Sequence, residues 1–540
     1  MSDNPQTPPA LPAPAGPMPW GAWGSPRPLP PRVRELLGQF LGLAAEPAPP
    51  VPVADVALRP SRLSAAALAD LRQAASPEAV LDGRAERLRH TGGKSTTDLL
   101  RRRAGDAGDA PDAVLTPGSH DAVLAVLAAA QRHRIAVVPF GGGTSVSGGV
   151  EALDGGLTAV ITLDLRRMNE LVSIDTVSLT ATMQPGLPAP RAEELLGAQG
   201  LMLGHLPQSF EHATIGGFAA TRSAGQASAG YGRFDDMVVA VRAATPRGTL
   251  AAGRAPRSAA GPDLRQLLLG SEGTFGVITE ITAMVRPLPE TVTDLAFEFA
   301  GFAAGTAALR ALAQSSPGLV TMARLADETE TMVQGLTGGQ QASGCLAVIS
   351  IEGTRQSVAG RQSQAGAIMA RHEGQPADSG LVAGWRRGRF DAPYLRDTLL
   401  AAGALAETLE TATSWSRLPE LYEAVRGALV TALTAAGTPP VVMCHISHVY
   451  PAGASLYFTV AAAQAADPVT QWAAAKSAAS AAIMAAGGTI THHHGVGLDH
   501  RDYLTAEIGG LGVDVLRAVK AALDPAGIMN PGKLIPAAAN

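Results

Sequence analysis

The spacing of apolar and polar positions changes character along the chain. Residues 1–17 carry no apolar period, being mostly Pro, Ala and polar residues, and read as a mobile tail. From Met18 anchors appear: Trp20-Gly21-Ala22-Trp23, then Val33, Leu36, Leu37, Phe40 and Leu41 at helical spacing. Residues 18–108 are assigned on this basis to an N-terminal helical extension. From Asp112 the pattern becomes that of an α/β unit. Ala113-Val114-Leu115 is strand-like, Ser119 is placed to cap a helix, and Val123, Leu124, Val126 and Leu127 share a helical face before the strand Ile135-Ala136-Val137-Val138-Pro139. Strand-like runs from Ala159 to Leu163 and from Ser178 to Met183, with a helix from Ala189 to Gln199 stopped by Gly200, continue the mixed pattern. After Pro287-Leu288-Pro289, long helical stretches alternate with short strands as far as Ala486, the texture of a second domain. The expected fold class is α+β, divided at 109–289, 290–486 and a turn-rich segment 487–540, without an internal repeat.

Composition narrows the function classes. A chain of 540 residues with 46% hydrophobic and 16% charged residues can bury a large core, and a net charge of −5 excludes a basic nucleic-acid binder. Of the 40 prolines, 16 lie in the first 60 residues, and the Trp20–Leu41 anchors divide them between the tail and a structured region. Cys345 and Cys444 are too few for a disulfide framework or a four-thiolate zinc site. No apolar run reaches the ~18 to 20 residues of a membrane span; the Ala-rich stretch Trp472 to Ala486 is broken by Lys476 and serines. Without a signal-peptide pattern at the start, a cytoplasmic location is expected.

The glycines cluster. Phe140-Gly-Gly-Gly-Thr-Ser-Val-Ser-Gly-Gly149 places five of them in ten residues directly after a strand, exposing consecutive backbone N–H groups to an anion such as a pyrophosphate. It lacks the Lys-Ser/Thr ending of a P-loop and the GxGxxG spacing of a dinucleotide turn. A glycine run is also ordinary turn punctuation, so its neighbours decide. Gly204-His-Leu-Pro-Gln-Ser-Phe-Glu-His-Ala-Thr-Ile-Gly-Gly217, Thr221-Arg-Ser-Ala224 and Gly270-Ser-Glu-Gly-Thr-Phe-Gly-Val-Ile278 follow in order. Together these segments resemble the FAD-binding half of the vanillyl-alcohol oxidase and p-cresol methylhydroxylase flavoprotein superfamily.

That resemblance implies a two-subdomain, PCMH-type FAD-binding domain over 109–289, an α/β cap domain over 290–486, and a C-terminal segment returning to the flavin. It implies cofactor contacts from Pro139, Phe140, Gly141, Gly142, Gly143, Thr144 and Ser145 around the pyrophosphate. Gln208, Ser209 and Thr214, then Thr221, Arg222, Ser223 and Ala224, then Glu272, Gly273, Thr274, Phe275, Gly276, Val277 and Ile278 are implied around the ribose, adenine and isoalloxazine. Some superfamily members bond a His of the first loop covalently to the flavin; with Thr144 in that loop, non-covalent FAD is expected here.

His492, His493 and His494, followed by Gly495-Val-Gly497, cannot all face one way on a strand. Either proton transfer near the flavin or metal ligation would use such a cluster. With Gly204-His205, Ala323-Arg-Leu-Ala-Asp327, Tyr394-Leu-Arg-Asp397, Pro451-Ala-Gly-Ala-Ser-Leu-Tyr-Phe458 and the Trp20/Trp23 block, the string is similar to alkyldihydroxyacetonephosphate synthase (alkylglycerone-phosphate synthase), over Met18 to the C-terminus. The family makes the ether bond of ether lipids, a transferase reaction in which the acyl group of acyl-dihydroxyacetone phosphate is exchanged for a fatty alcohol through a flavin N5 adduct. The resemblance implies Tyr457 as acid/base, Arg396 on the substrate phosphate, Arg324 as a further active-site cation, and His492, His493 and His494 beside the flavin. It also implies a homodimer and a lipid substrate; with no span and a slightly negative net charge, any membrane contact is expected to be peripheral.

Two departures matter. Where the synthases carry Arg after Cys, this chain reads Met443-Cys-His-Ile-Ser-His448, and the basic segment after the triple histidine is Leu498-Asp-His-Arg-Asp502. No peroxisomal address is evident. These departures motivate an alternative, an FAD-linked D-2-hydroxyacid dehydrogenase holding a divalent metal on His445, His448 and His493, although Tyr457 stands where those enzymes have a further His. A flavin-fold protein that only binds a partner is the third reading.

Overall fold

The computed structural model describes residues 11–13, 15–24, 29, 31–43, 49–338, 344–378 and 380–537. Most of the expected tail lies outside them; of its remainder, Ala15 N–H donates to Glu211 O at 3.2 Å and Leu11 packs on the core beneath, so this part is docked.

Four sheets organise the described residues. In the first, Ala113–Leu115, Ala159–Asp164 and Ile135–Phe140 run parallel, the crossover being the helix His120–His133. The Ser119 side chain accepts from Ala122 N–H and starts that helix, as the sequence predicts. The fourth strand, Val80–Leu81, comes from inside the stretch read as a helical extension and pairs antiparallel with Ala113–Leu115. Two apolar residues were too short a run to register as a strand. The second sheet is antiparallel and five-stranded, in the order Leu171–Asp175, Thr180–Met183, Val277–Met284, Val238–Thr245, Gly248–Ala252. A two-stranded ladder joins Leu201–Met202 to Arg286–Pro287.

The third large sheet is antiparallel and seven-stranded: Gln375–Pro376, Thr291–Phe299, Cys345–Gly353, Met322–Ala326, Val441–Val449, Gly453–Ala463, Ala404–Ser414. Along Gly453–Ala463, Leu456, Phe458 and Val460 are fully buried under the helices Leu418–Ala435 and Pro468–Ala485, while Tyr457 and Thr459 alternate to the opposite face. The same alternation along Val441–Val449 brings Met443, His445 and Ser447 to that face. A register shift between Ile446 and His448 then keeps His448 there too, as a β-bulge does. The chain ends by coming back: the helix Leu504–Leu523 leads to Met529, which bridges to Val137 beside the glycine loop. The Ala-rich stretch before it is the helix Pro468–Ala485, and no helix among the described residues is long and apolar enough to cross a membrane.

Candidate active site

A cavity of about 790 Å³ lies between the first two sheets and the open face of the third. Its floor is the glycine loop. Pro139, Phe140, Gly141, Gly142, Gly143, Thr144 and Ser145 all line it, and the loop needs its glycines: a Cβ on Gly142 would run into the carbonyl oxygen of His212, and Gly143 has φ +70°. Gln208, Ser209, Thr214, Thr221, Ser223 and Ala224 continue the wall, with Glu272, Gly273, Gly276 and Ile278. The Thr214 hydroxyl is buried without a partner. A bare backbone cradle along the cavity floor suits the phosphates of FAD.

Four of the expected cofactor contacts fall elsewhere. Arg222 adopts φ 50° and turns its guanidinium to Leu269 O and Gln266 O, at 3.0 Å each. Thr274, Phe275 and Val277 point into protein, the latter two within hydrophobic cores. Glu272 reaches the wall but serves the fold: its carboxylate accepts the N–H groups of Val496 at 2.6 Å and Gly497 at 2.8 Å, tying the C-terminal segment to the glycine loop. Burial pushes it up to about 7, against those hydrogen bonds.

The triple histidine is a turn built around a carboxylate that sequence reading missed. Glu410, on Ala404–Ser414 and directly opposite Tyr457, is completely buried. It accepts from the backbone N–H of His492 at 2.6 Å, His493 at 3.1 Å and His494 at 2.9 Å, and from the Thr491 hydroxyl at 2.7 Å. Three consecutive N–H groups converging on one anion throw the rings apart, with interplanar angles of 84° and 70°. His493 and His494 reach the cavity; His492, expected beside the flavin, is buried behind them at 6% exposure. Burial pulls His492 down to about 3 and His493 and His494 to about 4, outweighing Glu410, so all three rings are neutral at pH 7.

Tyr457 stands on the cavity wall with its ring stacked between His445 at 5.0 Å and His493 at 6.1 Å. Burial pushes its phenol up to about 12, keeping it protonated. Arg324 also lines the cavity, but its guanidinium is paired with Glu330, and Glu330 Oε2 lies 2.9 Å from His445 Nδ1. Arg324 is thus half of an ion pair; Glu330, the other missed acid, is held down to about 2 despite its burial by Arg324 and His445. Arg396 is different. Its Nη1 is 3.9 Å from Glu407, while Nε and Nη2 are buried without any partner.

The alternative metal set does not form. His445 is engaged by Glu330; the nitrogens that gather, within 4.8 Å of one another, belong to His448, His492 and His493. They are turned to protein: His448 Nδ1 meets the Ser447 and Ser455 hydroxyls, His448 Nε2 meets Gly225 O at 3.1 Å, and His492 is bonded on both nitrogens. The carboxylate beside them, Glu410, 3.6 Å from His493 Nδ1, is already taken by the Thr491 hydroxyl and the N–H groups of residues 492–494, so these groups are spent on protein partners and do not fit a divalent ion. His205 is also remote, buried against Ser223, Phe218 and Phe234.

Comparison with known proteins agrees with this geometry in two steps. Residues 111–252 match the family described as FAD binding domain, and residues 288–534 match FAD linked oxidases, C-terminal domain. A solved p-cresol methylhydroxylase with substrate bound superposes with a TM-score of 0.69 over 88% of this chain and 98% of its own, at 15% identity. The fold is therefore that of a PCMH-type flavoprotein with an FAD-linked oxidase C-terminal domain. An alkyldihydroxyacetonephosphate synthase of Dictyostelium discoideum is 33% identical over 85% of this chain and 79% of its own length. A solved alkyldihydroxyacetonephosphate synthase covers 95% of this chain and 98% of its own, with a TM-score of 0.82 at 28% identity. The chain belongs to the alkyldihydroxyacetonephosphate synthase family.

Proposed function

We propose that this protein exchanges the acyl group of acyl-dihydroxyacetone phosphate for a fatty alcohol, producing the ether bond of an ether lipid. The observation that carries the reading is Arg396: a guanidinium on the cavity wall whose nearest carboxylate, Glu407, is 3.9 Å from Nη1, with Nε and Nη2 covered and unpaired. A cavity guanidinium without a close carboxylate partner suits a phosphate. Trp23, Leu29, Val33, Leu395 and Leu399 give the same cavity an apolar side that suits an alkyl chain. Tyr457, protonated and beside neutral His493, is placed to pass a proton at the reacting carbon's oxygen substituent. Arg324, neutralised by Glu330, orients His445 beneath the Tyr457 ring.

FAD, when bound along the glycine loop, supplies the electron sink for the carbon that changes its oxygen substituent. It is held non-covalently in this reading, since Thr144 offers no nucleophilic ring nitrogen; acid precipitation releases the yellow flavin into the supernatant, and flavin staying with the pellet would refute this. A homodimer in the cytoplasm, meeting its lipid substrate by peripheral membrane contact, completes the proposal.

The test follows labelled fatty acid released from acyl-dihydroxyacetone phosphate in the presence of hexadecanol. Wild-type protein forms the ether product, and Tyr457→Phe loses at least ~100-fold in rate with flavin retained. Bleaching of the flavin by D-2-hydroxyacids without ether formation would establish the dehydrogenase reading in its place.

A further inference from the structure

The proposed exchange, on which the following rests, has a proton to dispose of. The bond between the substrate CH₂ and its acyl oxygen breaks, and the carboxylate leaves with the electron pair. A bond to the alcohol oxygen forms, and the alcohol O–H proton is released. Nothing is oxidised or reduced overall, and at neutral pH each turnover delivers one carboxylate and one proton into a cavity lined largely by carbon.

A chain of hydrogen bonds leads out of that cavity. His493 is on its wall, and Nε2 of this ring has no partner among the described residues. Its Nδ1 lies 3.0 Å from Nδ1 of His492, and Nε2 of His492 lies 2.8 Å from the Tyr450 hydroxyl. Tyr450 is outside the cavity lining and half-buried, at the end of Val441–Val449. Arg233, Asp235 and the exposed Asp236 are near enough to act on its phenol electrostatically. Glu410 is the other charged group near it, and His448, also neutral, packs 5.0 Å from the His492 ring. His492 thus sits between a cavity residue and a residue on the far side, bonded to each through a different nitrogen.

We propose that His492 and Tyr450 form a proton exit that carries the exchange proton from His493 to solvent. Two neutral imidazoles whose Nδ1 atoms face each other need one proton between them, so the chain has two fully satisfied orders. In the first, His493 Nδ1–H donates to His492 Nδ1, His492 Nε2–H donates to the Tyr450 oxygen, and the phenol O–H donates outward. A proton arriving at His493 Nε2 moves every proton one place along, and the Tyr450 proton leaves to water. The second order then stands: Tyr450 donates to His492 Nε2, and His492 Nδ1–H donates to His493. The first order returns when each ring gives the proton on one nitrogen to water and takes one up on the other, so that both rings re-form as the opposite tautomers. In this arrangement His492 and Tyr450 are positioning and relay residues, while His493 alone touches the reacting groups.

Tyr450→Phe, which removes one oxygen and leaves the Trp415 indole bond to the Tyr450 backbone carbonyl in place, tests this. The exit predicts that kcat falls by ~10-fold or more with KM and flavin content unchanged. It also predicts that small buffers such as imidazole restore part of the loss, and that the solvent deuterium effect on kcat rises. Independently of substrate, ¹⁵N-histidine NMR should show Nε2 of His492 shifting in the variant. Wild-type kcat in the variant overturns the proposal, and so does a loss that no buffer restores, with the deuterium effect unmoved and the His492 signal unshifted. Wild-type protein that forms no ether product refutes the exchange reading, and the exit's purpose with it. Exchange-active wild type with an indifferent Tyr450→Phe refutes the exit alone.

Discussion

At the scale of single residues, burial rather than charge sets the protonation of the site. Glu410 pulls on His492, His493 and His494, yet all three are held well below the ordinary imidazole value. A histidine whose folded pKa is depressed takes up its proton first in the unfolded chain, so folding loses stability as pH falls below ~6.5, at up to ~1.4 kcal/mol per pH unit for each such ring. Glu410, itself held low, loses its contribution only below its unfolded value of ~4.5. Between pH 6.5 and 4.5 the histidines are opposed by Glu151, Glu193 and Glu272, raised to about 7, and Asp327, raised to about 6, which take up protons first in the folded chain. His205, His448 and His500 shift the same way, so the total slope does not identify any one ring. A His494→Gln variant does: its urea-unfolding free energy should decline less steeply between pH 6.5 and 4.5 than the parent's, by about one proton's worth. Parallel slopes would mean that His494 titrates alike in both states.

At the scale of elements, the site depends on strand register, and register is what the sequence conceals. The motif residues Tyr457, Arg396 and His493 were legible because short strings surround them. Glu410 was not: it is one of two acids in Ala404–Ser414, and only its pairing opposite Tyr457 brings it under the triple histidine. Glu330 escaped for the same reason, reached from Asp327 through the first turn of a helix, whose Glu330 N–H donates to Asp327 at 2.7 Å. Arg222, Phe275 and Val277 show the converse, where a contiguous motif was read as facing the ligand although Arg222 closes a helix in the left-handed conformation and Phe275 and Val277 are taken into the core. Glu410→Gln tests the value of the carboxylate. The amide can present only one oxygen to four donors and sets its NH₂ against the rest, so about 2 to 3 kcal/mol of stability should be lost. Because the damage is confined to the His492–His494 turn, exchange activity should fall while the glycine loop still binds FAD. Unchanged melting temperature and activity would show the turn to be held by other contacts.

At the scale of the whole molecule, the cavity is closed by the N-terminal segment, far from the glycine loop in sequence. Trp23 is 3% exposed and packs edge-on to His212 at 5.2 Å, on the loop between Gln208 and Thr214. Its backbone N–H donates to Asp397 Oδ2 at 2.6 Å, and Gly24 adds a second bond at 3.3 Å. Asp397 adjoins Arg396, whose Nε and Nη2 are unpaired, so the segment does more than cover the site: it occupies the carboxylate that would otherwise compete for that guanidinium. Trp23→Ala removes the anchor. Loss of a buried indole costs about 3 to 5 kcal/mol where it packs, and in a segment attached at the edge this appears as local opening, not global unfolding. Asp397, released, then pairs with Arg396 and displaces the substrate phosphate. The expected result is a KM for acyl-dihydroxyacetone phosphate raised ~10-fold or more, with flavin content and far-UV circular dichroism preserved and new proteolytic cleavage before residue 43. Asp397→Asn in the same background should recover the KM, because an amide cannot neutralise Arg396. If the double variant binds substrate as weakly as Trp23→Ala alone, the N-terminal segment acts on the cavity by packing and not through Asp397.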